Sequence, residues 1–172
     1  MIRLSEKQNH IISAIVEHKP GVLNSVANLF RRKCFNIESI SVGPLERDEL
    51  ARMTITVNGD EKTIEQVVKQ LNKLVDVVKV SRLNPNHIVT REMALIKVHT
   101  MDTKVRSDVI NYADIFRARV IDVSSESLIM EITGTSEKID AFLDLMKPFG
   151  VMEIARTGIT ALSRGVKSVR VE

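Results

Sequence analysis

Val57-Asn58-Gly59-Asp60-Glu61-Lys62-Thr63-Ile64 returns 75 residues later as Ile132-Thr133-Gly134-Thr135-Ser136-Glu137-Lys138-Ile139. Each time an apolar strand end, a glycine and a short polar run lead into an apolar helical pattern. The pairing continues through Val67/Phe142, Val68/Leu143, Leu71/Met146 and Leu74/Phe149. Nearer the N-terminus, Leu29-Phe30-Arg31 matches Ile115-Phe116-Arg117 at an offset of 86, so the second copy is shorter by 11 residues between these anchors. The shortening falls where the first copy carries Gly43-Pro44-Leu45-Glu46-Arg47-Asp48-Glu49, a hairpin loop by composition. Self-similarity at a fixed spacing means that one supersecondary unit occurs twice.

The unit can be read from its periods. Ile64, Val67, Val68, Leu71 and Leu74 recur at i, i+3, i+4 and i+7, the buried stripe of a helix, and Val22, Leu23, Val26, Leu29 and Phe30 do the same before them. Val105, Val109, Tyr112 and Phe116, then Ile139, Phe142, Leu143 and Met146, are their counterparts. Met53, Ile55 and Val57 alternate with Thr54 and Thr56, as in a half-buried strand. Ile11 to Val16, Ile37 to Val42 and Val77 to Val80 complete the first copy. Met93 to Val98, Val120 to Val123, Leu128 to Ile132 and Val151 to Ile154 complete the second. Each copy reads strand, helix, strand, strand, helix, strand. Right-handed crossovers then place both helices on one face of a four-stranded antiparallel sheet. The expected fold is α+β: two tandem ferredoxin-like βαββαβ domains at residues 8–83 and 92–166, joined by a linker at 84–91 whose Asn84-Pro85-Asn86 suits a turn. The helix-free face of each sheet should be solvated or packed on another copy.

Composition excludes several function classes. Cys34 is the single cysteine, so no intrachain disulfide can form, and a reducing, cytoplasmic setting is expected. Cys34 itself is expected to be a small buried hydrophobe. No apolar run approaches the roughly 20 residues that span a bilayer, so no membrane association is expected. The net charge of +3 comes without a basic tract: Arg31-Arg32-Lys33 closes a predicted helix, where cations complement the dipole. With no Trp, one Tyr and five Phe, mostly at helical apolar positions, a base-stacking nucleic-acid surface has little to work with.

Catalytic signatures are equally sparse. His10, His18, His87 and His99 do not pair at helical spacing, one cysteine cannot make a structural zinc site, and no P-loop, nucleophile elbow or dinucleotide-binding glycine motif occurs. The chain is expected to have no catalytic residues and no metal site. The reading that survives is a binding turn. Glu17-His18-Lys19-Pro20-Gly21-Val22-Leu23 joins the first strand to the first helix. Gly21 permits a sharp turn, and the N–H groups opening the helix at about Val22 to Asn24 favour an anion such as a carboxylate. The matching turn of the second copy, Thr100-Met101-Asp102-Thr103, lacks glycine and carries its own cap in Asp102 or Thr103. Copy two closes its helix start; copy one leaves it open. Asn36, between Phe35 and Ile37, adds donors and an acceptor that suit a zwitterion, or it caps a strand entry.

These stretches resemble a known family. Ile15 to Leu23 followed by Phe35-Asn36-Ile37-Glu38-Ser39-Ile40 is similar to an ACT domain. Arg52 to Ile55, Gly59 to Lys62, Gln70 to Val77, Arg91 to Val98, Ile121-Asp122-Val123 and Ile154-Ala155-Arg156-Thr157-Gly158 resemble the small regulatory subunit of acetohydroxyacid synthase, also called acetolactate synthase. The resemblance runs over about residues 8–166. It implies a chain without catalytic activity of its own, working with a separate catalytic large subunit that carries thiamine diphosphate, magnesium and flavin, in the synthesis of valine, leucine and isoleucine. It also implies activation of that subunit and feedback inhibition by valine or a related amino acid. The homodimer would pair two ACT domains edge to edge, with the effector between His18, Lys19, Pro20, Gly21, Val22 and Leu23 of one chain and Asn36 and Ile37 of the other. His18 stands where many relatives carry Asn. The alternative is an ACT-domain amino-acid sensor acting on a different enzyme or a transcriptional partner.

Overall fold

The computed structural model describes residues 8–166 and 168–169. The contacts divide the chain into two units, Thr90–Gly158 and the remainder, in which the residues from Ile159 onward join those up to Val89. In the first unit β1 (Gln8–Glu17), α1 (Val22–Lys33), β2 (Ile37–Pro44), β3 (Leu50–Gly59), α2 (Glu61–Leu71) and β4 (Val77–Arg82) follow in order, and the antiparallel sheet runs β2-β3-β1-β4. Asn84 accepts from the Asn86 N–H at 3.0 Å and starts a 3-10 turn, Pro85–His87. The second unit holds β5 (Ile88–His99) from Thr90 onward, α3 (Thr103–Phe116), β6 (Arg119–Val123), β7 (Ser127–Gly134), α4 (Ser136–Met146) and β8 (Val151–Arg156), with sheet order β6-β7-β5-β8. A last strand, β9 (Thr160–Ser163), lies in the first unit. Two βαββαβ sandwiches are thus present. The linker stretch is turn and then strand, and the tail from Ile159 belongs to the first unit, where the sequence reading runs the second module to 166.

Each core follows from period 2 in the strands meeting period 3.6 in the helices. Ile12, Ala14 and Val16 of β1 and Met53, Ile55 and Val57 of β3 turn one face to Val26, Leu29 and Phe30 of α1 and Ile64, Val67 and Leu71 of α2. In the second unit Ala94, Ile96 and Val98, with Leu128, Met130 and Ile132, meet Val109, Ala113, Ile139, Phe142 and Met146. Leu23, counted among the core stripe of α1 by its spacing, is instead about half exposed. The repeat is also shifted from its textual match. Cys34 and Arg117 are the left-handed C-caps of α1 and α3, at φ 54° and 53°, and the residues after them bond back to Phe30 and Ala113 in the same way. The structural offset here is therefore 83, not 86. Burial agrees: Leu29 is 4% exposed and Ile115 72%.

Cys34 is exposed, contrary to the buried role expected of it. The cap position accounts for this: a left-handed residue just past a helix turns its side chain outward while Phe35 folds back, here edge-on to Phe30 at 6.1 Å. Thr54 and Thr56, on the face expected to be solvated or packed on another copy, are both buried. The helix-free side of this sheet is covered by the chain's own tail. The Ser41 hydroxyl donates to the Ile159 carbonyl at 2.9 Å, Arg52 Nη2 to the Val169 carbonyl at 2.8 Å and Arg164 Nε to the Ile88 carbonyl at 2.9 Å. Ile15, Leu83, Ile88, Ala161 and Val169 form a second, smaller core there. Across the middle of this face runs a row of hydroxyls in register, Ser41, Thr54, Ser13 and Ser81. Among the described residues no helix is long and apolar enough to cross a membrane.

The second unit carries one strong polar clamp. Glu92 of β5, only 5% exposed, accepts from Arg156 Nε at 2.7 Å and Nη2 at 2.8 Å, and from the Ser136 hydroxyl at 2.9 Å. Arg156 reaches on to Asp140 of α4 at 2.6 Å. Two strands and a helix start are tied by one bidentate guanidinium.

Candidate functional site

The turn between β1 and α1 is built by glycine. Gly21 stands at the N-cap with φ 90° and ψ −18°, and no side chain caps the helix. Ser25 makes the first helical bond, N–H to the Gly21 carbonyl at 2.9 Å. The N–H groups of Val22, Leu23 and Asn24 come before it, pointing out of the helix start with the positive end of its dipole. A Cβ placed on Gly21 would meet nothing within 4 Å, so the position is open in space as well as in hydrogen bonding. The second unit differs as its sequence suggests. Asp102 is the N-cap of α3, in extended conformation, and its carboxylate accepts from the Lys104 N–H at 3.1 Å.

The charged and polar residues around the turn have specific places. His18 is exposed and docked on the β2–β3 hairpin: its N–H donates to the Glu49 carbonyl at 2.7 Å and its Nδ1 to the Asp48 carbonyl at 3.1 Å. Lys19 pairs with Asp76 at 2.7 Å and with Glu17. Those two carboxylates, Asp76 foremost, raise its ammonium above the ordinary lysine range. Its charge is thus already balanced and is not aimed at the helix start. Pro20 is exposed. Val22 is buried in the core and can offer only its N–H, whereas the exposed Leu23 presents an aliphatic side chain beside the turn. Neither the docking of His18 nor the pairing of Lys19 with Asp76 is written in local sequence, because Asp48, Glu49 and Asp76 are 30 or more residues away.

Asn36 and Ile37 lie at the other end of α1. That helix has 12 residues, so it holds them about 18 Å from Gly21. Asn36 is exposed, and its Nδ2 donates to Glu38 at 2.6 Å, which leaves its Oδ1 as an acceptor. One chain therefore does not bring the turn and Asn36 together. Ile37 opens β2, whereas the turn follows β1, an inner strand of the sheet. β2 is a terminal strand of the sheet, with Val42 about half exposed. Among the described residues no cluster of three or more His, Cys, Asp or Glu could hold a metal ion.

Comparison with known proteins agrees with this architecture. Residues 12–79 match the family model described as the AHAS small subunit-like ACT domain, and residues 91–165 match that of the small subunit of acetolactate synthase. A probable acetolactate synthase small subunit from Methanothermobacter thermautotrophicus is 55% identical over 164 residues, 95% of this chain and 98% of that one. The acetolactate synthase small subunit of Mycolicibacterium smegmatis is 46% identical, over 93% of this chain and 94% of its own length. The crystal structure of the acetolactate synthase small subunit from Thermotoga maritima superposes with a TM-score of 0.86 at 49% identity, covering 92% of this chain and 98% of that one.

Proposed function

Because the chain belongs to the family of acetolactate synthase small subunits, we propose that it is the regulatory partner of a separate thiamine-diphosphate-dependent catalytic chain. It raises that chain's activity and confers feedback inhibition by valine or a related branched-chain amino acid. It does so in the cytoplasm as a homodimer whose ACT domains pair along β2. Thiamine diphosphate, magnesium and flavin act on the catalytic chain, where the carbon–carbon bond is made; this chain contributes the sensor.

The observation that carries the reading is the uncapped start of α1 at Gly21, set against the self-capped start of α3. The effector's carboxylate accepts from the N–H groups of Val22 to Asn24, and its ammonium donates to the Asn36 Oδ1 of the second chain. Its aliphatic side chain lies beside Leu23. His18 keeps the turn on the hairpin, and Pro20 with Lys19 shapes its approach. Regulation follows by linkage: an effector that binds one arrangement of the two-chain seam more tightly shifts the assembly toward it, and the catalytic chain reads the shift.

The test is reconstitution. Added to the purified catalytic subunit, this chain should raise the rate of acetolactate formation, make it sensitive to valine and turn over no pyruvate alone. An unchanged rate and no valine response with a matched catalytic subunit would refute the assignment and favour a sensor acting on some other enzyme or transcriptional partner.

A further inference from the structure

The helix-free face of the first unit holds a hollow of about 540 Å³, away from the Pro-Gly turn, and none of its lining residues belongs to the effector reading. Its apolar lining is Ile15, Leu45, Leu50, Leu162 and Val169; its charged lining includes Arg47 and Arg52. The volume lies within the range of small-molecule sites, roughly 300–1,000 Å³, and the lining is mixed, with Ser163 and Ser168 beside the charged and aliphatic residues. Among the described residues neither arginine has a carboxylate partner. Arg52 donates one N–H to the Val169 carbonyl, which leaves the rest of its fork unspent, and Arg47 is exposed on the hairpin. Among the described residues Glu46 is the only acid in the lining. The walls are held in place: Ser41 binds the Ile159 carbonyl, Arg52 that of Val169, and Arg164 that of Ile88.

From this we infer a second ligand site in the first unit, for a small amphiphilic anion, one anionic group on a short aliphatic body. The anionic group sits against Arg47 and Arg52, where a bidentate guanidinium contact is available, and the body covers Ile15, Leu45, Leu50 and Leu162. The hairpin that lines this hollow with Leu45, Arg47 and Leu50 is the one that holds His18 through Asp48 and Glu49, so the ligand sits one hairpin away from the effector turn.

Octanoate is the probe, with octan-1-ol as its uncharged counterpart, titrated into the full chain and followed by methyl NMR without any amino acid present. Failure of this titration therefore leaves the reading of the Pro-Gly turn untouched. The expected result is saturable shifts at Leu45, Leu50 and Leu162 with octanoate and at least tenfold weaker binding of octanol. Arg47→Gln, on an exposed loop where the fold has little to lose, should weaken octanoate at least tenfold, and Arg52→Gln similarly. Absence of saturable shifts, equal binding of octanol, or unchanged affinity in Arg47→Gln would overturn the proposal.

Discussion

Gly21→Asp should abolish valine binding, with a loss of affinity of at least a hundredfold, while the chain remains folded and dimeric. Two effects act at this position and can be separated. The backbone stands at φ 90°, where a residue with a Cβ costs about 1–2 kcal/mol, and the space around the missing Cβ is empty. Steric exclusion within the chain is therefore small, and strain, present with and without the effector, should cost at most about thirtyfold in affinity. The larger effect is charge. An aspartate here lies at the helix start, accepts from the same N–H groups as the effector's carboxylate and repels it, much as Asp102 already occupies the start of α3. A hundredfold loss corresponds to about 2.8 kcal/mol, within reach of charge-assisted bonds removed and a like charge introduced. Calorimetry on Gly21→Asp and Gly21→Ala together decides between them. Equal losses in the two variants would mean that strain, not competition for the helix start, controls the site.

Arg156→Met should cost the second unit about 3–5 kcal/mol at neutral pH, because it leaves the Glu92 carboxylate buried with the Ser136 hydroxyl as its remaining side-chain partner. For a unit of this size that is a fall in midpoint on the order of 15 °C. The Arg156 guanidinium, helped by Ser136, holds the Glu92 carboxyl below the usual glutamate range. A group depressed in the folded state gives stability that is fully present above its unfolded pKa and is lost as pH falls through its folded one. The stability gap between wild type and Glu92→Gln should therefore be full at neutral pH and shrink once the pH drops below about 4, the ordinary glutamate value. Thermal unfolding across pH 3–7, with hydrogen exchange in β5 and α4 to assign the loss to this unit, measures both. A gap that stayed constant down to pH 3 would show that the ion pair carries no linked stability.

Much of this molecule could be read from one-dimensional pattern, and the failures have physical causes. Periodicity found all four helices, because each buries a continuous stripe, as Ile64, Val67 and Leu71 do. The contrast between Gly21 and Asp102 was legible because a helix start depends on one or two adjacent residues. The 83-residue offset escaped because a slip of three is nearly one helical turn: Leu29-Phe30 can be laid on Ile115-Phe116 with both stripes still apparently in phase. The burial of Thr54 and Thr56 could not be read because threonine fits either side of a sheet. The same face also receives a tail whose contact with Ser41 spans 118 residues. Such a return carries no local signal, and the Arg47–Arg52 hollow it helps to enclose was invisible for the same reason. Likewise, the pairing of Lys19 with Asp76 has no local signal, because the two are far apart in sequence.

The claim on which the account depends is that each effector site takes its Gly21 turn from one chain and its Asn36 from another. Asn36→His, on the exposed end of α1, should desensitise the homodimer without unfolding it. Mixing Gly21→Asp chains with Asn36→His chains then concentrates both lesions in one site of each mixed dimer and leaves the other intact. Calorimetric titration of such mixed dimers with valine should recover one site per dimer at near wild-type affinity, although neither parent binds. Mixed dimers that remain blind to valine, or an Asn36→His homodimer that binds it normally, would contradict the two-chain site.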